Sequence, residues 1–316
     1  MRFPHRIPST TMIRFDIRCQ LDYQVDGQSE LMFNIQPAHT LQQAVDSESI
    51  AWTGVNDVAS FSDPGLGNRM LKTSVASGLV RVDYNARVSI AHHVAHPRDI
   101  EEVPVGSLAP EILPYLLPTR YCESDQLSAF AQSQFGHLPR GYSRVQAVCD
   151  WVHGHVRFAP GASDSWTSAT GTLRSGAGVC RDFAHLTIAL LRALNIPARF
   201  VAGYDYGADP ALGPTDFHAY VEAFLRDRWY IFDASRICPR KGLVRIGTGY
   251  DAADVAFATI YGPTRFLGMK LDIEPFDLRG RALAVTDDPG VAISTASLAD
   301  MLPVVTNALV LRTMAA

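Results

Sequence analysis

No window of this 316-residue chain reaches the ~20 uninterrupted apolar residues that a membrane-spanning helix needs, so no membrane span is expected. Positive charge is not in excess either. With 28 Lys and Arg against 32 Asp and Glu, the formal charge is -4, which argues against a nucleic-acid-binding surface. Residues 1–12 contain basic residues but no apolar h-region, so no secretory signal is read there, and Met12 is an alternative start. The five cysteines, Cys19, Cys122, Cys149, Cys180 and Cys238, are odd in number and contain no Cys-x-x-Cys pair. That scatter suits a reducing compartment better than a disulfide framework, and a cytoplasmic location is expected. No internal repeat is visible. What remains is a chain of average globular composition, 47% hydrophobic and 19% charged, long enough for two domains.

The first part of the chain reads as short β-type runs separated by turn residues: Ile13–Ile17, Leu31–Ile35, Leu79–Tyr84 and Ala86–Ile90. Period-two alternation at that spacing predicts a small antiparallel sandwich over 12–105. Asp63-Pro64-Gly65-Leu66-Gly67-Asn68 reads as a turn whose glycines fit no phosphate-loop template. Pro97, Pro104, Pro110, Pro114 and Pro118 punctuate a linker. Helical character returns near Ser124 and over Tyr142–Val152, where Val145, Val148 and Val152 share a face. The strongest helix spans Val179–Leu194 and is stopped by Asn195-Ile196-Pro197. Three β-type runs follow, Ala198–Tyr204, Phe217–Leu225 and Trp229–Phe232, which is the order of an α+β domain over 106–272. Residues 273–316 show no readable motif and are expected to form a C-terminal extension.

Chemistry concentrates at Gly178-Val179-Cys180-Arg181-Asp182-Phe183-Ala184-His185. A helix amino terminus carries unpaired N–H groups and partial positive charge, so a cysteine there has its thiolate stabilised. At about 100° per residue, Cys180 falls with Phe183, Ala184, Thr187, Leu191 and Leu194 on an inward face. His185 falls with Arg181 and Arg192 on a polar ridge, which makes it a poor base. The partners must then come from the strands, where Asp216-Phe217-His218-Ala219-Tyr220 and Ile231-Phe232-Asp233-Ala234-Ser235 offer His218 and Asp233. A hairpin turning near Arg226-Asp227-Arg228 brings these to one side of the sheet. Simple pairing nonetheless sets Asp233 opposite about residue 221, roughly 10 Å short of His218 at ~3.3 Å per residue. Without further support, Cys180 could be a structural cysteine, His218 an edge histidine and Asp233 a turn residue.

These three ordered motifs resemble the bacterial branch of the transglutaminase-like superfamily. Val156-Arg157-Phe158-Ala159-Pro160-Gly161 and Thr167-Ser168-Ala169 upstream, and Gly249-Tyr250-Asp251-Ala252-Ala253-Asp254-Val255 downstream, extend the similarity over roughly 120–262. The resemblance implies a papain-like α+β core, a helix packed on an antiparallel sheet, behind the small β-sandwich often fused ahead of it. It implies Cys180 as nucleophile, His218 as base and Asp233 as the residue that orients the imidazole. A cysteine-dependent amide hydrolase acting through a thioester on a peptide or protein amide is expected. Acyl transfer to an amine and a non-catalytic peptide-binding module are the alternatives. No cofactor or metal is expected, and the oligomeric state is not readable. Tyr220 stands where the family more often has Trp, Ala234-Ser235 where it has Pro-Thr, and Tyr250 where it has Arg.

Other clusters carry weaker signals. His92, His93 and His96 are split by strand alternation and lack an adjacent thiol or acidic ligand, so zinc is not expected there. His153 and His155 suit a helix carboxyl end. Asp205, Asp209 and Asp216, set among Pro210, Gly213 and Pro214, match no calcium-loop spacing and suggest a mobile loop at the cleft. Trp166 is a candidate oxyanion donor that lies nearer the cysteine than the family's indole donor does.

Overall fold

The computed structural model describes residues 12–209, 211 and 215–300. In chain order the strands are β1 (Ile13–Val25), β2 (Ser29–Phe33), β3 (Gln43–Thr53), β4 (Ala59–Ser62), β5 (Arg69–Val75), β6 (Gly78–Ile90) and β7 (His93–Ala95). Helices α1 (Ser128–Phe135) and α2 (Tyr142–His155), strand β8 (Arg157–Phe158), helix α3 (Ala169–Ser175), strand β9 (Ala177–Gly178) and helix α4 (Cys180–Ala193) follow. Strands β10 (Ala198–Asp205), β11 (Phe217–Leu225), β12 (Arg228–Phe232), β13 (Leu243–Gly249), β14 (Ala258–Tyr261), β15 (Thr264–Phe276) and β16 (Ala292–Ser297) complete the order.

Alternation builds the sandwich. In β1 the residues Ile13, Phe15, Ile17, Cys19, Leu21, Tyr23 and Val25 are buried, while Arg14, Asp16, Arg18, Gln20, Asp22 and Gln24 face outward. The outward face is itself registered by charge. Asp16 lies opposite Arg87 and Asp22 opposite Arg81, and each pair is hydrogen-bonded across the ladder. The sheets run β15-β1-β6-β3 and β14-β2-β5-β4 and enclose one apolar core. Thus β14 and β15, from beyond the helical region, complete a sandwich that 12–105 does not fill alone, and residue 272 falls within β15. The Asp63–Asn68 segment is the turn between β4 and β5, and Asn68 also binds both the N–H and the C=O of Thr248 in the neighbouring sheet.

The second unit is a six-stranded antiparallel sheet, β13-β10-β11-β12-β16-β7, with helices on one face. Helix α4 packs on the face carrying Ala219, Val221 and Ala223. It stops where Asn195 takes a left-handed φ of 61° ahead of Pro197. Strand β16 enters between β12 and β7, so part of the expected extension is an inner strand of this sheet. Its sequence, Ala292-Ile293-Ser294-Thr295-Ala296-Ser297, is buried throughout, and its small polar residues hide that burial from a hydrophobicity pattern. The linker prolines sit among three short 3-10 turns over Pro97–Asp99, Val105–Ser107 and Leu113–Leu116. Residues 1–11, which precede the alternative start Met12, and residues 301–316 lie outside the described residues.

Candidate active site

Cys180 is the first residue of α4, so its amide is one of the N–H groups without an intrahelical acceptor. The turn is fastened by Asp182, whose carboxylate accepts from the Val179 N–H at 2.8 Å and from the Ser163 hydroxyl. Gly178 makes that fastening possible, because a Cβ there would stand 2.6 Å from the Asp182 Cβ. Arg181 reaches back to the Asp164 carbonyl at 2.6 Å and secures the loop that precedes α3. The thiol itself is half-buried against the main core.

His218 is the second residue of β11 and is almost fully buried. Its Nε2 is 3.0 Å from Oδ2 of Asp233. The other oxygen of Asp233 accepts from the Ser235 N–H at 2.9 Å and the Ser235 hydroxyl at 2.6 Å. The next carbonyl, of Ala234, is held by Nδ1–H of His153 on α2 at 2.9 Å. Ser235 therefore has a physical task at a position where the resemblance carries threonine. On the other edge of the ring, Nδ1 has no aligned hydrogen-bond partner among the described residues, and Asp205 Oδ2 lies 3.7 Å away.

Burial disfavours the imidazolium of His218, but the charge and hydrogen bond of Asp233, joined by the nearby Cys180 thiol, outweigh it and raise its pKa well above the ordinary histidine value. Burial likewise opposes the Asp233 carboxylate, and the charge and hydrogen bonds of His218 and Ser235 overcome it, so its pKa is lowered. Asp205 has less compensation. Burial, against the opposing pull of His218 and with help from Asp216 and Asp233, pushes its carboxyl up to about 6. The arrangement favours an imidazolium bonded to the Asp233 carboxylate and close to the Cys180 thiol, the charge state needed to protonate a leaving amine.

The strand register differs from the simple reading. Val221 pairs with Phe232, so the chain continues with Asp233 alongside Tyr220, two positions from His218 on the same face. Because β12 ends at Phe232, Asp233 is outside the ladder and its side chain closes the remaining distance. A second difference concerns faces. His218, Tyr220 and Glu222 lie on the side of β11 away from the one that packs on α4, and only His218, at the beginning of the strand, is coupled electrostatically to the Cys180 thiol.

His185 is not on a polar ridge. It is fully buried, stacked on Tyr121 with ring centroids 5.0 Å apart, and its Nε2 accepts from the Ala252 N–H at 3.2 Å. Burial, partly offset by Asp251, pulls its pKa down to about 3. Asp251, in turn, holds the Tyr121 and Ala253 N–H groups, so the Asp-Ala-Ala-Asp run is a clamp on the back of α4. Arg192 is buried too and donates to the carbonyls of Leu117, Ala198 and Tyr250. Both side chains share the polar side of the helix wheel with Arg181, yet they are buried because segments at residues 117–121 and 250–252 cover that side of α4.

Asp205 and Cys238 are the neighbours that the sequence reading did not place here. Asp205 closes β10 opposite the start of β11, and period-two alternation from Val201 and Gly203 puts it on the His218 face, a signal that becomes usable once the β10–β11 register is known. It is therefore a buried residue rather than part of a mobile loop; Pro210 and 212–214 of that loop lie outside the described residues. Trp166 is 78% exposed and stacks with Arg120. His92 is buried with neither ring nitrogen partnered among the described residues, and it belongs to no metal-ligating group found there.

The comparisons with known proteins agree with this architecture. Residues 128–234 match the family model of the transglutaminase-like superfamily. The crystal structure of a candidate cysteine protease from Cytophaga hutchinsonii is 37% identical, with a TM-score of 0.82 over 90% of this chain and 97% of that one. The chain belongs to the transglutaminase-like superfamily, as an α+β member with an N-terminal β region. Among curated proteins, an uncharacterised protein of Mycobacterium leprae is 32% identical over 124 residues, 38% of this chain and 44% of that protein. One from Mycobacterium tuberculosis is 27% identical over 190 residues, 54% of this chain and 59% of that protein. The chain thus spans about half the length of the curated relatives it matches.

Proposed function

We propose that this protein is a cysteine-dependent amide hydrolase acting on peptide or protein amides through a thioester on Cys180. The observation that carries the reading is the pairing of His218 with Asp233, Nε2 to Oδ2 at 3.0 Å, in a buried imidazole whose charged form is also favoured by the nearby Cys180 thiol at the start of α4. In this scheme the Cys180 proton resides on His218, and the thiolate attacks the amide carbonyl carbon. The tetrahedral intermediate collapses with cleavage of the C–N bond, and the imidazolium gives its proton to the departing amine. Water, deprotonated by the now neutral imidazole, then cleaves the thioester and regenerates the thiol. Asp233, fastened by Ser235, holds the ring tautomer and stabilises the imidazolium. The Cys180 amide supplies one oxyanion donor.

Iodoacetamide labelling across pH, read by mass spectrometry at Cys180, tests the nucleophile. The expected result is a rate near neutral pH above that of a free thiol, falling at least tenfold in His218→Ala. A rate equal to a free thiol and unchanged by His218→Ala refutes the reading. A screen of peptide amides with and without added amines then separates hydrolysis from transfer, because transfer yields a new amide in place of the acid.

A further inference from the structure

The thioester chemistry leaves one nearby group unused. A ring nitrogen of His218, a carboxylate oxygen of Asp233 and the Sγ of Cys238 all lie within 4.8 Å of one another. Cys238 is a free thiol, and it is buried. A cavity of 740 Å³ is lined by both Asp233 and Cys238, and its rim carries Arg236 and Asp150, whose side chains are exposed to solvent. Two of the three donors are therefore reached from outside by a route that does not include Cys180.

We propose that His218, Asp233 and Cys238 form an inhibitory zinc site, entered through this cavity and completed by a water molecule. Nitrogen, sulfur and carboxylate oxygen are the donors a borderline-soft cation selects, whereas calcium and magnesium require oxygen. Tetrahedral zinc, with bonds of about 2.0–2.3 Å, sets its ligand atoms about 3–4 Å apart, so modest side-chain rotation closes the cluster. One thiolate and one carboxylate balance the charge of the cation. On binding, the Cys238 thiol gives up its proton, the imidazole nitrogen now bonded to Asp233 gives up its own, and both pass to solvent. Asp233 is then committed to the metal and no longer orients the ring for Cys180. That loss of activity rests on the proposed hydrolase function; the binding itself does not.

The test uses the Cys180→Ser protein with cobalt(II) chloride as probe. A thiolate-to-cobalt charge-transfer band is expected in the near ultraviolet and is displaced by zinc chloride. Adding Cys238→Ala removes the band, while adding Cys149→Ala, the other thiol lining the cavity, keeps it. No band, a band that survives Cys238→Ala, or one lost with Cys149→Ala overturns the proposal. Should Cys238→Ala fail to fold by circular dichroism, alkylation of Cys238 in the Cys180→Ser protein decides. Zinc slows that alkylation at least tenfold, and Asp233→Asn removes most of the protection; equal rates with and without zinc overturn the site. Because the Cys180→Ser protein cannot form a thioester, these readouts stand whether or not amide hydrolysis is found. Chelator-reversible zinc inhibition of the wild-type protein is the functional counterpart.

Discussion

The carboxylate of Asp205 lies 3.7 Å from Nδ1 of His218, on the ring edge away from Asp233, and the Asp205 side chain is buried with Oδ1 lacking a hydrogen-bond partner among the described residues. The imidazole is thus flanked by two acids. Asp233 is stabilised as an anion, whereas burial raises Asp205 to about 6. Since its folded pKa exceeds the unfolded value of about 3.9, ionising Asp205 costs stability as pH rises from about 4 to 6, and the penalty persists above that. Asp205→Asn should accordingly stabilise the protein by on the order of 2 kcal/mol at pH 7 and by nearly nothing at pH 4. Urea midpoints at the two pH values check this, and an equal shift at both contradicts it.

The acid limb of stability should come from histidines outside the site. Burial holds His92 and His185 at about 3, so below about pH 6.5 the unfolded chain takes up protons that the folded chain refuses. Each histidine then costs about 1.4 kcal/mol per pH unit, and two of them outweigh the opposite slope from Asp205 between 6 and 4. His218, raised, and Asp233, lowered, are charged in both states across the middle of that range and add slope only at its two ends, near the unfolded values of about 6.5 and 3.9. Thermal midpoints should therefore fall steadily from pH 6.5 to 4, and a flat profile would contradict the burial of both rings.

Ser235→Ala should separate orientation from folding. It removes the 2.6 Å hydroxyl bond to Asp233 but leaves the 2.9 Å backbone bond. A hydrogen bond to a buried charge is worth about 1.5–3 kcal/mol, so kcat for an amide substrate should drop about tenfold or more. KM should stay near the wild-type value, and Ser235→Thr should restore turnover. A loss confined to KM would place Ser235 in substrate binding.

Glu222 is fully buried between Arg199, at 2.6 Å, and Arg245, which sits on its other carboxylate oxygen. Arg199 also lies over the Trp229 ring at 4.1 Å. Glu222→Gln leaves two guanidinium groups buried without their counter-charge, and such losses cost about 3–5 kcal/mol. Denaturant titration should show that fall. Alkylation of Cys180 in the still-folded fraction should keep its wild-type pH profile, because the network is separate from the thiol.

Much of the local structure was readable because it depends on neighbours in the chain. Alternation in β1 and β6, the apolar run of α4 and the stop at Asn195-Ile196-Pro197 all act within a few residues. The readings that changed depend on distant packing. Arg192 and His185 are polar by type, yet both are buried because segments near residues 117–121 and 250–252 supply their partners. Strand β16 has no signature in its own sequence because its burial comes from neighbouring strands rather than from its small residues.

The sequence by itself determined the order Cys180, His218, Asp233 and put the cysteine at a helix start, since both follow from local pattern and residue type. Tertiary structure decided what surrounds the imidazole. Register moved Asp233 alongside Tyr220, the end of β10 brought in Asp205, and the chain beyond β12 folded Ser235 and Cys238 back toward the ring. Each of those contacts depends on how strands align and where they stop, and alignment between segments is an energy of packing that no single segment carries.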